Sequence, residues 1–360
     1  MFLPGKVGQV VQGELKFVPS GLHVEDGRIR LPESGQDGPR WIMPGLVDVH
    51  CHLGMRGVEP VSRAELEEQG KTDRDSGVLA VRDCGTVTNN AWVKSVAYLP
   101  RLIRCGRHVA RFKRYIKGLP IDVDNQADLP QVLSHQAQRA DGWVKLVADW
   151  IDRSMGKEAV LRPLWEKAVL REAIAAAHEA GARVTVHSFS HEAIDPLLEA
   201  GVDCIEHGTG MDEVQMQEAA RRSIAVTPTL CQVGMFPTFA APGRQKYPLY
   251  YEQMIRMWER RYEQVAQMVD AGIHIMVGTD TAPKPLHGGI GQEIAELKKV
   301  GLSGSEIVAA ASWRTRNFLE LDNLTEGASA DFLCYHENPL ENPRILAKPD
   351  EVYLRGRRYK

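Results

Sequence analysis

Long apolar runs are missing from this chain of 360 residues. No window approaches the roughly eighteen consecutive apolar residues a membrane-crossing helix needs, which excludes such a helix. Met1 to Val10 carry one lysine and no apolar centre, so a secretory leader is not expected. Cysteine is sparse: Cys51, Cys84, Cys105, Cys204, Cys231 and Cys334 are scattered, with no CxxC spacing. That excludes a cysteine-based structural zinc site and suits reduced thiols in a cytoplasm. An excess of one charge is also lacking. Lys and Arg number 44 against 47 Asp and Glu, for a net charge of -3, and no basic cluster is long enough for nucleic acid or a membrane surface. The basic end, Arg355, Arg357, Arg358 and Lys360, reads as a solvated terminal strand. Internal repeats and low-complexity tracts are absent. A chain of this length buries a large core without staples.

What is present is an alternation. Apolar, β-branched runs of four to eight residues are followed by amphipathic stretches that end in Gly, the pattern of βα units. Eight strands are expected: Leu46–His52, Val78–Cys84, Val109–Tyr115, Trp143–Ala148, Arg183–His187, Asp203–His207, Ile224–Thr227 and His274–Gly278. Among the helices, LWEKAVLREAIAAAHEAG has apolar positions at helical spacing, with Gly181 just past its end. Eight units over residues 45–324 predict an α/β fold, a (β/α)8 TIM barrel. Residues 1–44 and 325–360 instead hold short β-like pieces broken by Gly and Pro. They are expected to join into one small β-sandwich domain beside the barrel. Three connections are unusually long: Asp149–Pro163, Leu230–Leu249 and Thr279–Gly291. All follow strands, so all lie at the barrel end where such folds keep their sites.

The chemistry-bearing residues cluster at the same strand ends. His50 and His52 flank Cys51, and strand alternation points both imidazoles one way and Cys51 the other. Alone, the pair reads equally as two polar residues at a strand end. His187, His207 and Asp280 close later strands in RVTVHS, DCIEHG and IMVGTD. Four histidines and an aspartate, each where an apolar strand gives way to Gly, Ser or Thr, fit zinc or a similar divalent ion.

Lys145 stands inside an apolar strand, WVKLVA. Burial disfavours its charged form. One reading is a rim lysine paired with a carboxylate such as Asp149. The other is an amine that takes up carbon dioxide and becomes a carbamate, an anion able to bridge two cations. Charge bookkeeping favours the bridge: two divalent ions against a carbamate, Asp280 and a hydroxide leave one positive charge, whereas an ammonium would repel both ions.

IMPGLVDVHCH, GVLAVRDCG, WVKLV, AAHEAGARVTVHS, AGVDCIEHGTGM, VTPTL and IMVGTDT together resemble the amidohydrolase superfamily, in its imidazolonepropionase-like and Xaa-Pro dipeptidase-like branch. The resemblance spans nearly the whole chain. It implies that His50, His52 and Asp280 hold the more buried metal, that His187 and His207 hold the other, and that carboxylated Lys145 bridges them. Asp83 resembles the structural RD pair and is not read as a ligand. The segment after Lys145, VADWIDRSMGKEAVLRP, matches no defined substrate group.

The implied reaction is hydrolysis at a two-metal site, with Asp280 taking a proton from the attacking hydroxide's parent water. The leading substrate is a small N-acyl amino acid or a dipeptide of the Xaa-Pro type. Opening of a cyclic amide, lactone or ester hydrolysis, and heterocycle deamination are the alternatives, with a catalytically silent scaffold of a different class behind them. Deaminases of the superfamily lack the strand-four lysine. His287, Lys284, Tyr247 and Arg244 are the candidates for holding substrate. Alternation predicts that Glu206 points away from the mouth and supports the barrel, and His191 is read as a surface or supporting group. A homo-oligomer is compatible with all of this.

Overall fold

A computed structural model describes residues 1–32, 35–281 and 286–360. The central region is parallel α/β. Leu46–Cys51 pairs with Val78–Asp83, which pairs with Arg101–Arg104, all parallel. A second sheet runs in the order Ile121–Val123, Val109–Arg111, Trp143–Val147, Arg183–Ser188, Cys204–His207, Ala225–Thr227. The central strands are buried on both faces, as strands covered by helices must be: all six residues of VLAVRD and all five of WVKLV are buried. Residues 274–278 link the two sheets. Ile275 forms a parallel bridge with Val226, and Val49 donates to the Val277 carbonyl at 3.0 Å.

Helices follow the strands where the sequence places apolar positions at helical spacing. Lys167–Glu179 turns Leu170, Ala173, Ile174 and Ala177 inward, and His191–Ala200 does the same with Ala193, Ile194, Leu197 and Leu198. Their ends are chemically marked. Asp212 with Gln215, and Ser303 with Glu306, form reciprocal capping boxes that satisfy otherwise orphaned amides.

The chain ends combine in one sheet. Its order is Arg357–Arg358, Glu351–Leu354, Phe332–Tyr335, Arg40–Pro44, Gly5–Val11, Glu14–Pro19, so C-terminal strands continue directly into N-terminal ones. A three-stranded sheet of Phe2–Leu3, Leu22–Glu25 and Arg28–Arg30 packs with it through Leu3, Val7, Leu22, Ile29, Ile42 and Phe332.

Several expectations change. The eighth strand, expected at His274–Gly278, is reduced to the single bridge at Ile275. The third strand, expected at Val109–Tyr115, is two short strands, Arg101–Arg104 and Val109–Arg111. Between them, the Arg107 amide donates to Gln136 Oε1 at 3.2 Å instead of joining a ladder. Beyond Arg111 the chain turns, with Arg114 N–H donating to the Arg111 carbonyl at 2.9 Å, so Tyr115 belongs to a loop. The long connection at 149–163 is a hairpin of Asp149–Ile151 and Leu161–Pro163. That at 230–249 is mostly short helices leading into Pro248–Asp270.

Candidate metal centre

His50, His52, Lys145, His187, His207 and Asp280 come together. All six are buried and line one cavity of about 90 Å³ at the carboxyl ends of the parallel strands. Parallel register puts them there: Lys145 lies opposite Thr185, Val147 opposite His187, and Ser188 opposite His207. Asp280 is tied to the first strand by its own amide, which donates to the His50 carbonyl at 2.6 Å.

The donor atoms fall into two groups. Asp280 Oδ1 stands 3.3 Å from His50 Nε2 and 3.1 Å from His52 Nε2. His187 Nδ1 faces His207 Nε2 at 3.0 Å. Ligand atoms of His50, His207 and Asp280 lie within 4.8 Å of one another, so the two groups adjoin.

The second ring nitrogens of His50, His52 and His207 are engaged. His50 Nδ1 lies 2.8 Å from Glu206 Oε2, and His52 Nδ1 donates to the Gly85 carbonyl at 2.7 Å. His207 Nδ1 lies 2.6 Å from Thr229 Oγ1. A carboxylate or carbonyl can only accept, so the proton sits on Nδ1 and the Nε2 lone pairs of His50 and His52 face the cavity.

Electrostatics favour cation binding. Burial pulls the imidazole of His207 down to about 3 and lowers His50 and His187, keeping them neutral. His52 is held up instead, because the Asp280 carboxylate outweighs its burial. Burial pushes the Asp280 carboxyl up, but His50, His52 and His207 reverse this and hold it well below the usual carboxylate range. Lys145 Nζ is buried among these groups without any hydrogen-bond partner, as is His187 Nε2. No ion pair forms between Lys145 and Asp149, whose Oδ2 is taken by Ser188, Phe189 and Ser190. A buried amine beside neutral imidazole lone pairs is costly unless something else completes the site.

Glu206 departs from expectation. It does not point away from the mouth but lies beneath it, completely buried, between His50 and Arg82, whose Nη2 donates at 2.5 Å; Thr185 also donates to it. In parallel register Glu206 lies opposite His187 and shares its inward face; His207 has φ +67°, in the left-handed region, so alternation breaks there and His207 faces inward as well. Burial raises the Glu206 carboxyl, but Arg82 and His50 overcome it and keep Glu206 ionised. Asp83 is structural: it accepts from Leu53 N, Gly85 N and Asn90 Nδ2.

The substrate candidates fare differently. The structure places His287 against buried Asp73, Nδ1 to Oδ2 at 2.8 Å, in a neighbouring cavity with Thr72 and Thr281. Arg244 is exposed and stacks on Tyr251 at 5.0 Å. Tyr247 caps the Pro248–Asp270 helix beneath Lys246. None of these three lines the metal cavity, and Lys284 lies outside the described residues. The cavity wall holds instead Met55, Val58, His108, Tyr115, Trp150, Phe189 and Gln232. Sequence reasoning missed them because each stands singly in a connection, with no spacing signal. His191 is exposed, as expected.

The Amidohydrolase family pattern matches residues 41–358. An uncharacterized protein of Mycobacterium tuberculosis (strain ATCC 25618 / H37Rv) is 43% identical over 343 residues, which is 94% of this chain and 91% of that protein. A Xaa-Pro dipeptidase with bound methionine in its active site is similar in structure, with a TM-score of 0.82 at 19% identity over 100% of this chain and 98% of that one. A prolidase complexed with N-methylphosphonate-L-proline gives 0.82 at 19% identity over 100% and 99%. At such identities the likeness establishes the fold. No helix among the described residues is long and apolar enough to cross a membrane. Taken with the buried histidine–aspartate centre, the match over residues 41–358 makes the chain a member of the amidohydrolase family, a metal-dependent hydrolase acting on carbon–nitrogen bonds.

Proposed function

We propose that the chain hydrolyses an amide bond of a small organic molecule at a two-cation centre on a (β/α)8 barrel, with a β-sandwich domain from residues 1–44 and 325–360. The observation that carries this is the buried, unpartnered Lys145 Nζ, lining the same cavity as two groups of inward-facing donor atoms. His50, His52 and Asp280 fit one divalent ion, and His187 and His207 fit the other, zinc being the ion this donor set suits. Lys145 would serve both as a carbamate formed with carbon dioxide, which would turn a buried liability into an anionic ligand. When bound, the cations polarise the scissile carbonyl and acidify water.

The chain's own residues do the rest. Glu206 holds the His50 proton on Nδ1 and so aims its Nε2 lone pair. Asp280, ionised and at the mouth, accepts the proton of the attacking water and returns it to the leaving nitrogen. Met55, Trp150 and Phe189 exclude bulk water from the cavity. A dipeptide or N-acyl amino acid is the substrate suggested by the structural likeness to dipeptidases, and a cyclic amide or ester fits the same chemistry.

The test is elemental analysis of protein purified without chelator, followed by an amide-hydrolysis screen of wild type and Asp280→Asn. Two divalent ions per chain, with turnover in wild type alone, is the expected result. Metal-free protein that gains nothing from added zinc refutes it.

A further inference from the structure

Beyond the metal-facing groups, most of the cavity wall among the described residues is apolar. Met55, Val58, Ile116 and Leu119 form one side, and Tyr115, Trp150 and Phe189 the other. The aromatic side is a continuous stack: Tyr115 meets Trp150 edge-on at 4.6 Å, and Phe189 packs on His187 at 4.3 Å and on Phe236 at 4.8 Å. The polar groups of this wall are His108, Tyr115 and Gln232. His108 is stacked on His52 at 5.1 Å, and its Nδ1 is buried without a partner. Gln232 Oε1 is likewise buried and unpartnered. Among the described residues the cavity lining includes no arginine, no acidic group other than Asp280, and no lysine other than Lys145.

A dipeptide or an N-acyl amino acid carries a free carboxylate, and a dipeptide also carries an ammonium. Each must shed the part of its water that faces the buried side of the wall, Leu119 and Phe189. The centre's positive charge lies at the scissile carbonyl, so a carboxylate held along the wall away from it meets no counter-ion among the described residues and is rejected, whereas apolar and aromatic surface is taken up. Resting on the amide-hydrolase reading above, we infer that the substrate is an uncharged amide with apolar or aromatic substituents on both sides of the scissile bond, not a dipeptide. The unpartnered Gln232 carbonyl accepts an N–H from such a substrate, a bond that a tertiary Xaa-Pro amide cannot supply.

The test uses a matched pair, N-benzoyl-phenylalanine and N-benzoyl-phenylalaninamide, which differ only in the carboxylate. Benzoate release by protein as purified gives kcat/KM for each. Calorimetric titration of the metal-loaded Asp280→Asn variant gives binding of each member without turnover. The neutral member is expected to be favoured at least about a hundredfold in both. Leu119→Arg, which places a cation on the wall, is expected to narrow that gap by at least about tenfold. Preference for the carboxylate, or equal treatment of the two, overturns the inference. A carboxylate preference that disappears in Lys284→Ala overturns it too and names the counter-ion. Selective binding of the neutral member without benzoate release from either sinks the hydrolase reading while upholding this one.

Discussion

Glu206 Oε2 lies 2.8 Å from His50 Nδ1, and the same carboxylate receives Arg82 on its other oxygen at 2.5 Å. One buried anion therefore orients a candidate ligand and neutralises a buried guanidinium. Glu206→Gln keeps the shape but removes the charge. Metal affinity is expected to fall about 10–100-fold by loss of imidazole orientation. Arg82, completely buried and stacked on Trp143 at 4.5 Å, is left without its counter-charge. Breaking such a pair costs about 3–5 kcal/mol. Chelator competition and thermal unfolding check the two effects, and an unchanged metal affinity refutes the orienting role.

Lys145→Ala is expected to bind less metal and to lose activity, with partial recovery in millimolar short-chain carboxylic acids that enter the vacated space. Because Lys145 Nζ has no hydrogen bond to lose, the metal-free variant should unfold close to wild type. Elemental analysis and melting curves separate these outcomes. Full metal occupancy in the variant contradicts the bridge.

Gly278 sits where two strands nearly touch. A Cβ there would lie 2.6 Å from His50 Cβ, 2.6 Å from Thr227 Cγ2 and 2.9 Å from the His50 amide nitrogen. Gly278→Ala is thus expected to push His50 out of place, destabilising by about 1–3 kcal/mol through overpacking. Metal affinity should fall with it. A variant with native stability and metal content would show that the strand simply shifts.

His274 offers a pH test away from the centre. Its ring packs edge-on to Phe318 at 5.2 Å, and burial lowers it to about 4, with Arg314 adding to the effect. Its unfolded value is near 6.5. Between these values the unfolded chain holds a proton that the folded chain lacks, so stability falls as pH drops from about 6.5 to about 4. His274→Phe should flatten that part of the profile relative to wild type, as measured by denaturant titration at several pH values. A steeper decline in the variant contradicts the assignment.

Much of this was legible in the chain itself. Patterns of period 3.6 set the helices that carry Leu170 and Ile194, and continuous apolar runs set the buried parallel strands. Residues ending those strands were visible because a strand's carboxyl end is marked by the change from apolar to small polar residues. The break at Arg107 was not visible, since it depends on Gln136, a partner 29 positions away.

Local chemistry thus determined the element types, the six candidate ligands and the odd lysine in an apolar strand. Only the tertiary structure decided what surrounds them. It set Glu206 opposite inward-facing His187, brought His207 to the same side through a left-handed backbone, gave His287 to Asp73, and walled the cavity with Trp150, Tyr115 and Phe189. The physical reason is range. Periodicity and turn chemistry act over a few neighbouring residues, whereas burial, counter-charge and cavity lining come from segments that meet only when the sheets assemble.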